Sequence, residues 1–405
     1  MVKATIERLG HQGDGIAPGP VYAPRTLPGE TIEGEVSGTR MPAPKIITPS
    51  ADRVAPLCRH YKSCGGCALQ HATDDFIHGW KREVVYHALK SQGIIAEITG
   101  PITSPPRTRR RATFSARRTK KGALVGFHAR ASDMITEIPD CHLLHPELLA
   151  CIPALRKLTI CGAARKSELR FTATHSGNGV DVVVAGGKPL DEGMRMSLAG
   201  IASEFGLARL TWDDEPVVEL NPPYQQFGTA QVVPPPGAFL QATAEGEKTL
   251  VKALLETVSN RKHVADLFAG CGTFSLPLAK NSEVHAVEGQ AEMLKALDTG
   301  WRQASGLKRV TTETRDLFRR PLLADEISHY DAVVIDPPRA GAEQQFHQLA
   351  EAKPEIIMSV SCSPASFARD AKILLDAGYR IGSITVVDQF RWSVHVEIAA
   401  GFTLI

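Results

Sequence analysis

Glu355–Tyr379 reads EIIMSVSCSPASFARDAKILLDAGY, and it sets the fold class of the C-terminal half. The apolar run from Ile356 to Val360 has the character of a buried parallel strand. Ser363 and Pro364 form a favoured cap and first-turn pair, and Phe367, Ala371, Leu374 and Leu375 recur at helical spacing until Gly378 stops the helix. Cys362 is thereby placed at the carboxyl end of a strand, just before a helix N-terminus. Open α/β sheets carry their chemistry there, and a thiolate is expected to be favoured there. A small buried core cysteine is the alternative at this position.

Strands and helices alternate from about residue 245 onward, which predicts βαβ units and a parallel sheet. HVADLFAGCGTFSLPLA (263–279) is a strand, a turn at Gly270 and Gly272, and a helix. SEVHAVEG (282–289) is a second strand ending in Glu288, TTETRD (311–316) ends in Asp316, and YDAVVIDPPRAG (330–341) reaches Asp336. Three acids at successive strand ends suit a bound nucleoside, since carboxylates there hold ribose hydroxyls. The chain has no GxxxxGK[ST] phosphate loop, so S-adenosylmethionine is a better expectation than a nucleoside triphosphate.

At 405 residues the chain predicts two or three domains. Residues 1–50 alternate short strands with Gly and Pro turns, as a small β-barrel would, and a mixed region follows to about residue 230. A formal charge of +2 gives no global pull toward nucleic acid, so a polyanion site has to be a local patch. RTRRRATFSARRTKK (107–121), with eight basic residues and no acid, is the candidate. No run has the length of a membrane span and no signal-peptide core is evident, so a cytoplasmic protein is expected. In that compartment, cysteines suggest metal, cluster or catalytic roles rather than disulfides. Cys58, Cys64 and Cys67 have the spacing C-x5-C-x2-C, and Cys141 follows in IPDCHLL. Four thiolates suit either zinc or an iron–sulfur cluster, and spacing does not choose between them.

Taken together, these motifs resemble those of the iron–sulfur RNA (uracil-5-)-methyltransferases over nearly the whole chain. GHQGDGIA and LPGETIEGEV are similar to the family's small oligonucleotide-binding (TRAM-like) barrel, and CGGCALQH to its cluster motif. The resemblance implies a multidomain α/β protein. An OB-like barrel (1–50) would precede an α+β region (51–230) carrying the cluster and an RNA-binding surface, and a Rossmann-like class I methyltransferase domain (231–405) would follow. It implies a [4Fe–4S] cluster on Cys58, Cys64, Cys67 and Cys141. It also implies S-adenosylmethionine held by Gln241 of FLQAT, Phe268, Gly270, Gly272, Thr273, Glu288, Asp316 and Asp336. Thr273 stands where relatives often have asparagine, and the barrel segment is short between Gly38 and Ile46.

DPPRAG and SCSPASFARD match the catalytic motifs, which makes Cys362 the nucleophile; HVEIA makes Glu397 the base, with His395 in support. The reaction implied is methylation of carbon 5 of an RNA uridine after thiolate addition to carbon 6. Ribosomal RNA is the favoured partner and transfer RNA the alternative, with no membrane and no obligate protein partner. An RNA cytosine-5 methyltransferase would need the same thiol attack and is the runner-up.

Overall fold

The computed structural model describes residues 1–165 and 167–405. Its largest sheet has nine strands. Across it the order is Val310–Thr314, Glu283–Glu288, His263–Leu267, Ala332–Ile335, Ile356–Ser361, Glu397–Leu404, Ile384–Asp388 and Ile98–Thr103, with Tyr379–Ile381 pairing alongside Glu397–Leu404. The first five run parallel, and Glu397–Leu404 is antiparallel to both of its long neighbours. The chain leaves His263–Leu267 toward one edge of the sheet and returns to its other side at Ala332–Ile335. The strand order therefore reverses between these two strands, where open α/β sheets bind ligands. This is the architecture expected of a Rossmann-like methyltransferase domain.

Why these segments become central strands is plain from their burial. Ala332–Ile335 and Ile356–Ser361 are buried at every position, as continuous apolar runs covered by helices on both faces should be. The helix Pro364–Asp376 begins as expected, with Ser363 Oγ accepting from the Ser366 amide at 3.4 Å. One face of the sheet packs on Phe346, Phe367 and Leu374, the other on Leu250 and Leu254 of the helix Ala244–Val258.

The last strand of this sheet, Ile98–Thr103, comes from the segment assigned by sequence to the central region. The helix Asp74–Ser91 joins it there, with Val85 and Leu89 in the same core as Ile384 and Phe402. A buried ion pair fixes that helix: Lys81 Nζ lies 2.6 Å from Asp388 Oδ1, with both side chains fully buried. The division at residue 230 therefore does not separate the packed layers.

A second sheet of seven strands occupies residues 111–219, with the helices Ile152–Gly162 and Glu192–Glu204 on one face. Residues 1–50 form two three-stranded sheets, Val2–Thr5 with Thr31–Gly34 and Lys45–Thr48, and Arg8–Leu9 with Asp14–Ala17 and Val21–Pro24. Among the described residues no helix is long and apolar enough to cross a membrane.

Removing one partner of a buried ion pair leaves an uncompensated charge, at a cost of about 3–5 kcal/mol. Lys81→Met should lower the unfolding free energy by that order in chemical denaturation, and Lys81→Met with Asp388→Leu should recover much of it. An unchanged denaturation midpoint in the single variant would show that the pair does not hold the helix to the sheet.

Candidate active site

The turn after His263–Leu267 bends sharply. Phe268 takes a left-handed φ of 62°, and Gly270 and Gly272 follow at 56° and 91°. A non-glycine residue in that region is strained and persists only where its surroundings hold it. Here Glu288 does the holding: its carboxylate accepts from the Gly270 amide at 3.1 Å and the Gln290 amide at 3.0 Å. Asp316 caps its own turn, accepting from the Phe318 amide at 3.0 Å. That turn sets the Phe318 ring 5.5 Å from the Phe268 ring, a pair of aromatic surfaces at the strand ends. Phe318 carries no motif and sequence reading missed it. Thr273 instead lines a separate groove of about 1450 Å³ beside the helix Ala244–Val258.

Asp336 stands at the other side of the strand reversal. Gln241 Nε2 donates to its Oδ2 at 3.3 Å, Gln389 Nε2 donates to Gln241 Oε1 at 2.6 Å, and the Ala242 amide donates to Gln389 Oε1 at 2.7 Å. Gln389 thus locks the orientation of Gln241, a role that no sequence motif announced.

Register explains how Cys362 and Glu397, the expected nucleophile and base, meet. Ser361 pairs with Ile398 across the antiparallel ladder, so Cys362 and Glu397 stand next to each other at the same edge. The strand Glu397–Leu404 lies between Ile384–Asp388 and the Cys362 strand and is antiparallel to both.

Electrostatics correct one expectation. The Cys362 thiol is pushed up to about 11, first by burial and then by the charges of Glu397 and Asp336. The helix N-terminus behind it does not outweigh two acids and desolvation. Burial pushes Asp336 up to about 7. Burial, followed by the Asp336 charge, pushes Glu397 up to about 8, with Gln389 opposing. Three acidic groups thus share a site that disfavours their anions, and an incoming cation would relieve it.

Cys362 opens on a cleft of about 640 Å³. Arg339, Phe390 and His395 line it, together with Gly65, Arg109 and Phe127. His395 faces the cleft as its place near Glu397 suggested, with its ring edge-on to Phe390 at 5.7 Å. Gly65 is required where it is: a Cβ there would lie 2.8 Å from the His128 carbonyl oxygen. The loop bearing Cys64 and Cys67 therefore presses directly on the wall of the cleft. Cys58, Cys64, Cys67 and Cys141 converge: burial first, then the nearby charge of Cys141, raises Cys58, Cys64 and Cys67, with Cys67 pushed up to about 12. The Gly66 amide donates to Cys64 Sγ at 3.3 Å, and Gln70 Nε2 to Cys67 Sγ at 3.2 Å.

Of the basic segment 107–121, the candidate local patch, only part is free to meet a polyanion. Arg110 is buried in an ion pair with Glu247 and donates from Nε to the Gln241 carbonyl at 2.9 Å. Arg111 reaches the Gly237 carbonyl at 3.1 Å, and Arg117 pairs with Glu168 at 2.8 Å. Arg109 lies 5.8 Å from the Phe390 ring centre. Only Arg107, Arg118, Lys120 and Lys121 stand exposed without such engagement of their side chains among the contacts described.

A carboxyl that titrates near 8 when folded and near 4.5 when unfolded binds more protons in the folded state between those values. Its contribution is complete below about pH 4.5 and is lost as pH rises toward 8. Melting temperatures measured across that window should therefore fall less steeply with pH in Glu397→Gln than in the native chain. Parallel slopes would mean that Glu397 ionises freely in the fold.

Residues 301–404 match the family described as tRNA (Uracil-5-)-methyltransferase. An uncharacterized RNA methyltransferase of Rhizobium meliloti (strain 1021) is 45% identical, with 98% of each chain covered. The 23S rRNA (uracil(1939)-C(5))-methyltransferase RlmD of Shewanella piezotolerans is 32% identical, over 98% of this chain and 95% of that one. Among solved structures, the Pyrococcus abyssi tRNA (uracil-54, C5)-methyltransferase, in complex with S-adenosyl-L-homocysteine, shares the fold. Its TM-score is 0.77 at 22% identity, over 99% of each chain. A relative named for uracil C5 methylation thus aligns end to end at 32% identity, and the matched C-terminal segment carries Cys362 and Glu397. The chain belongs to the RNA (uracil-5-)-methyltransferase family.

Proposed function

We propose that this enzyme methylates carbon 5 of a uridine in large-subunit ribosomal RNA through a covalent adduct on Cys362. The observation that carries the reading is the meeting of Cys362, which lines a cleft reaching the cysteine loop, with buried Glu397 on the adjacent strand. The 32%-identical relative is named for a 23S ribosomal uridine, which favours that substrate class. The matched family and the solved neighbour are named for transfer RNA, which makes transfer RNA the second reading.

The residues suit S-adenosylmethionine on charge and shape. Phe268 and Phe318 offer apolar faces for a base, and Glu288 and Asp316 stand at strand ends where ribose hydroxyls are held. Gly270 keeps a side chain out of the turn and Gly272 continues it, while Gln241 and Asp336 form the floor. Thr273 would contribute only from the rim. When bound, this donor supplies an electrophilic methyl group, and its sulfonium charge suits the acids Asp336 and Glu397.

Uracil carbon 5 is a weak nucleophile, so the protein has to activate the ring. Cys362 loses its proton to water while the cleft is open, and its sulfur then bonds to carbon 6. The 5,6 double-bond electrons move toward the carbonyl at carbon 4 and make carbon 5 electron-rich. Once carbon 5 carries the methyl group, Glu397 takes its proton. Those electrons rebuild the 5,6 double bond as the sulfur leaves carbon 6. A carboxylate raised to about 8 is a stronger base than an exposed one, which suits that task. The uridine has to leave its stack to enter the cleft. The barrel-like residues 1–50, the cysteine region and the exposed basic residues would grip the surrounding RNA.

We further propose that Cys58, Cys64, Cys67 and Cys141 hold a [4Fe–4S] cluster with a structural role. A single zinc ion with Zn–S bonds of about 2.3 Å draws its thiolates to roughly 3.8 Å from one another. No three of these sulfurs lie within 4.8 Å of one another, which is wider than a single zinc ion draws its thiolates. Anaerobically purified protein should contain about four irons per chain. Cys64→Ser should lose them, with weakened RNA binding; a variant that loses the iron and keeps RNA affinity and rate would remove the proposed role.

The catalytic reading is tested with methyl-labelled S-adenosylmethionine and unmodified ribosomal or transfer RNA, followed by nucleoside analysis. Label should appear in 5-methyluridine from ribosomal RNA and vanish in Cys362→Ala, which should still bind the donor. Label from transfer RNA alone would replace the substrate class. Turnover by Cys362→Ala would end the covalent mechanism.

A further inference from the structure

Three side chains that play no part in this chemistry converge on the larger groove. His145 caps the short helix Pro146–Ala150, Glu147 lies in its first turn, and His175 comes from the strand Glu168–Ser176. We infer that His145, Glu147 and His175 form a binding site for a zinc-type divalent ion, distinct from the cysteine cluster.

The geometry is the main argument. Each residue offers one ligand atom, and the three atoms lie within 4.8 Å of one another; no other group of His, Cys, Asp or Glu among the described residues meets that spacing. His175 Nε2 is 3.3 Å from Glu147 Oε2. Nitrogen and oxygen bound tetrahedrally to one zinc at about 2.0–2.2 Å stand roughly 3.3 Å apart. An ordinary ion pair would account for that contact and leave the second imidazole unexplained. That imidazole packs on the first, with ring centres 3.9 Å and planes 32° apart, so its ring would turn to ligate an ion. Capping does not explain it well either, because His145 Nδ1 accepts from the Glu147 amide at a long 3.4 Å. Giving up so weak a hydrogen bond on metal binding would cost little.

The donor set decides the class of ion. Two imidazoles and one carboxylate suit zinc and its transition-metal neighbours rather than magnesium or calcium, which take oxygen ligands. Both histidines line the groove of about 1450 Å³, which gives an ion an entry path and leaves a fourth position for water.

The backbone says what such an ion would do. The His145 amide donates to the Arg109 carbonyl at 2.9 Å, and the His175 amide to the Arg110 carbonyl at 2.7 Å. Arg109 lines the thiol cleft, and Arg110 holds Glu247 and the Gln241 carbonyl. An ion tying the two histidines together clamps both flanks of the segment that joins the central sheet to the methyltransferase sheet.

The test adds zinc, and cobalt(II) as its spectroscopic substitute, to the full-length protein as purified, in native form and as Glu147→Gln and His175→Ala. Glu147 is half-exposed, so its glutamine variant keeps the fold even if His175→Ala does not. The native chain should take up one zinc more than Glu147→Gln, with at least tenfold weaker binding at this site in each folded variant. Zinc should raise the melting temperature of the native chain alone. Cobalt should give visible absorption without a thiolate charge-transfer band, and that absorption should be absent from Glu147→Gln. Equal zinc uptake by the native chain and Glu147→Gln, or cobalt absorption with thiolate character that persists in the variant, would overturn the site.

Discussion

One pairing, Ser361 with Ile398, sets the edge at which Cys362 and Glu397 meet. Parallel strands deliver only their carboxyl ends to the reactive edge, so a second reactive group from the same neighbourhood has to arrive on a reversed strand. Glu397–Leu404 is that strand: it starts at the edge where Ile356–Ser361 stops, and its first residue is the acid. The side-chain period of a strand is two residues, so a slip of one would turn Glu397 to the other face. Burial on both sides of Val360 and Ile398 makes that slip expensive.

The same edge explains the shared electrostatics of the acids. Asp336, Cys362 and Glu397 all stand at strand ends within one buried patch, where burial and the Asp336 charge raise Glu397, and burial and both acids raise Cys362. At rest the site is poised against its own anions, and a ligand bearing positive charge is the natural means of reversing that balance. Gln389 keeps the arrangement from collapsing, because it fixes Gln241 against Asp336 from a loop whose base is tied down by Lys81 and Asp388.

Much of this was legible in the sequence. Apolar runs followed by Gly, Pro or an acid marked the central strands, and the positions of Cys362, Glu288 and Asp336 at their ends followed from the pattern. The protonation of Cys362 was not legible, because it depends on Glu397, 35 residues away (397 − 362) and brought near only by register. Charge density in residues 107–121 suggested a local polyanion patch, yet Arg110 faces inward to a partner 137 residues later (247 − 110). Gln389 and Phe318 belong to no motif, and only the packed structure gives them work. The separation of His145 from His175 likewise hid their contact.

The strand Ile98–Thr103 has a consequence for how the chain comes to be. Its partner Ile384–Asp388 lies beyond the 280 intervening residues 104–383. At about 5–20 residues per second, synthesis of that stretch takes some tens of seconds, during which the strand has no neighbour on its native side. The helix Asp74–Ser91 is left in the same position, with Lys81 exposed to water until Asp388 arrives. The nine-stranded sheet is therefore completed only once Ile384–Asp388 and Glu397–Leu404 have been made. Until then the nascent chain carries an open β edge that a chaperone has reason to cover.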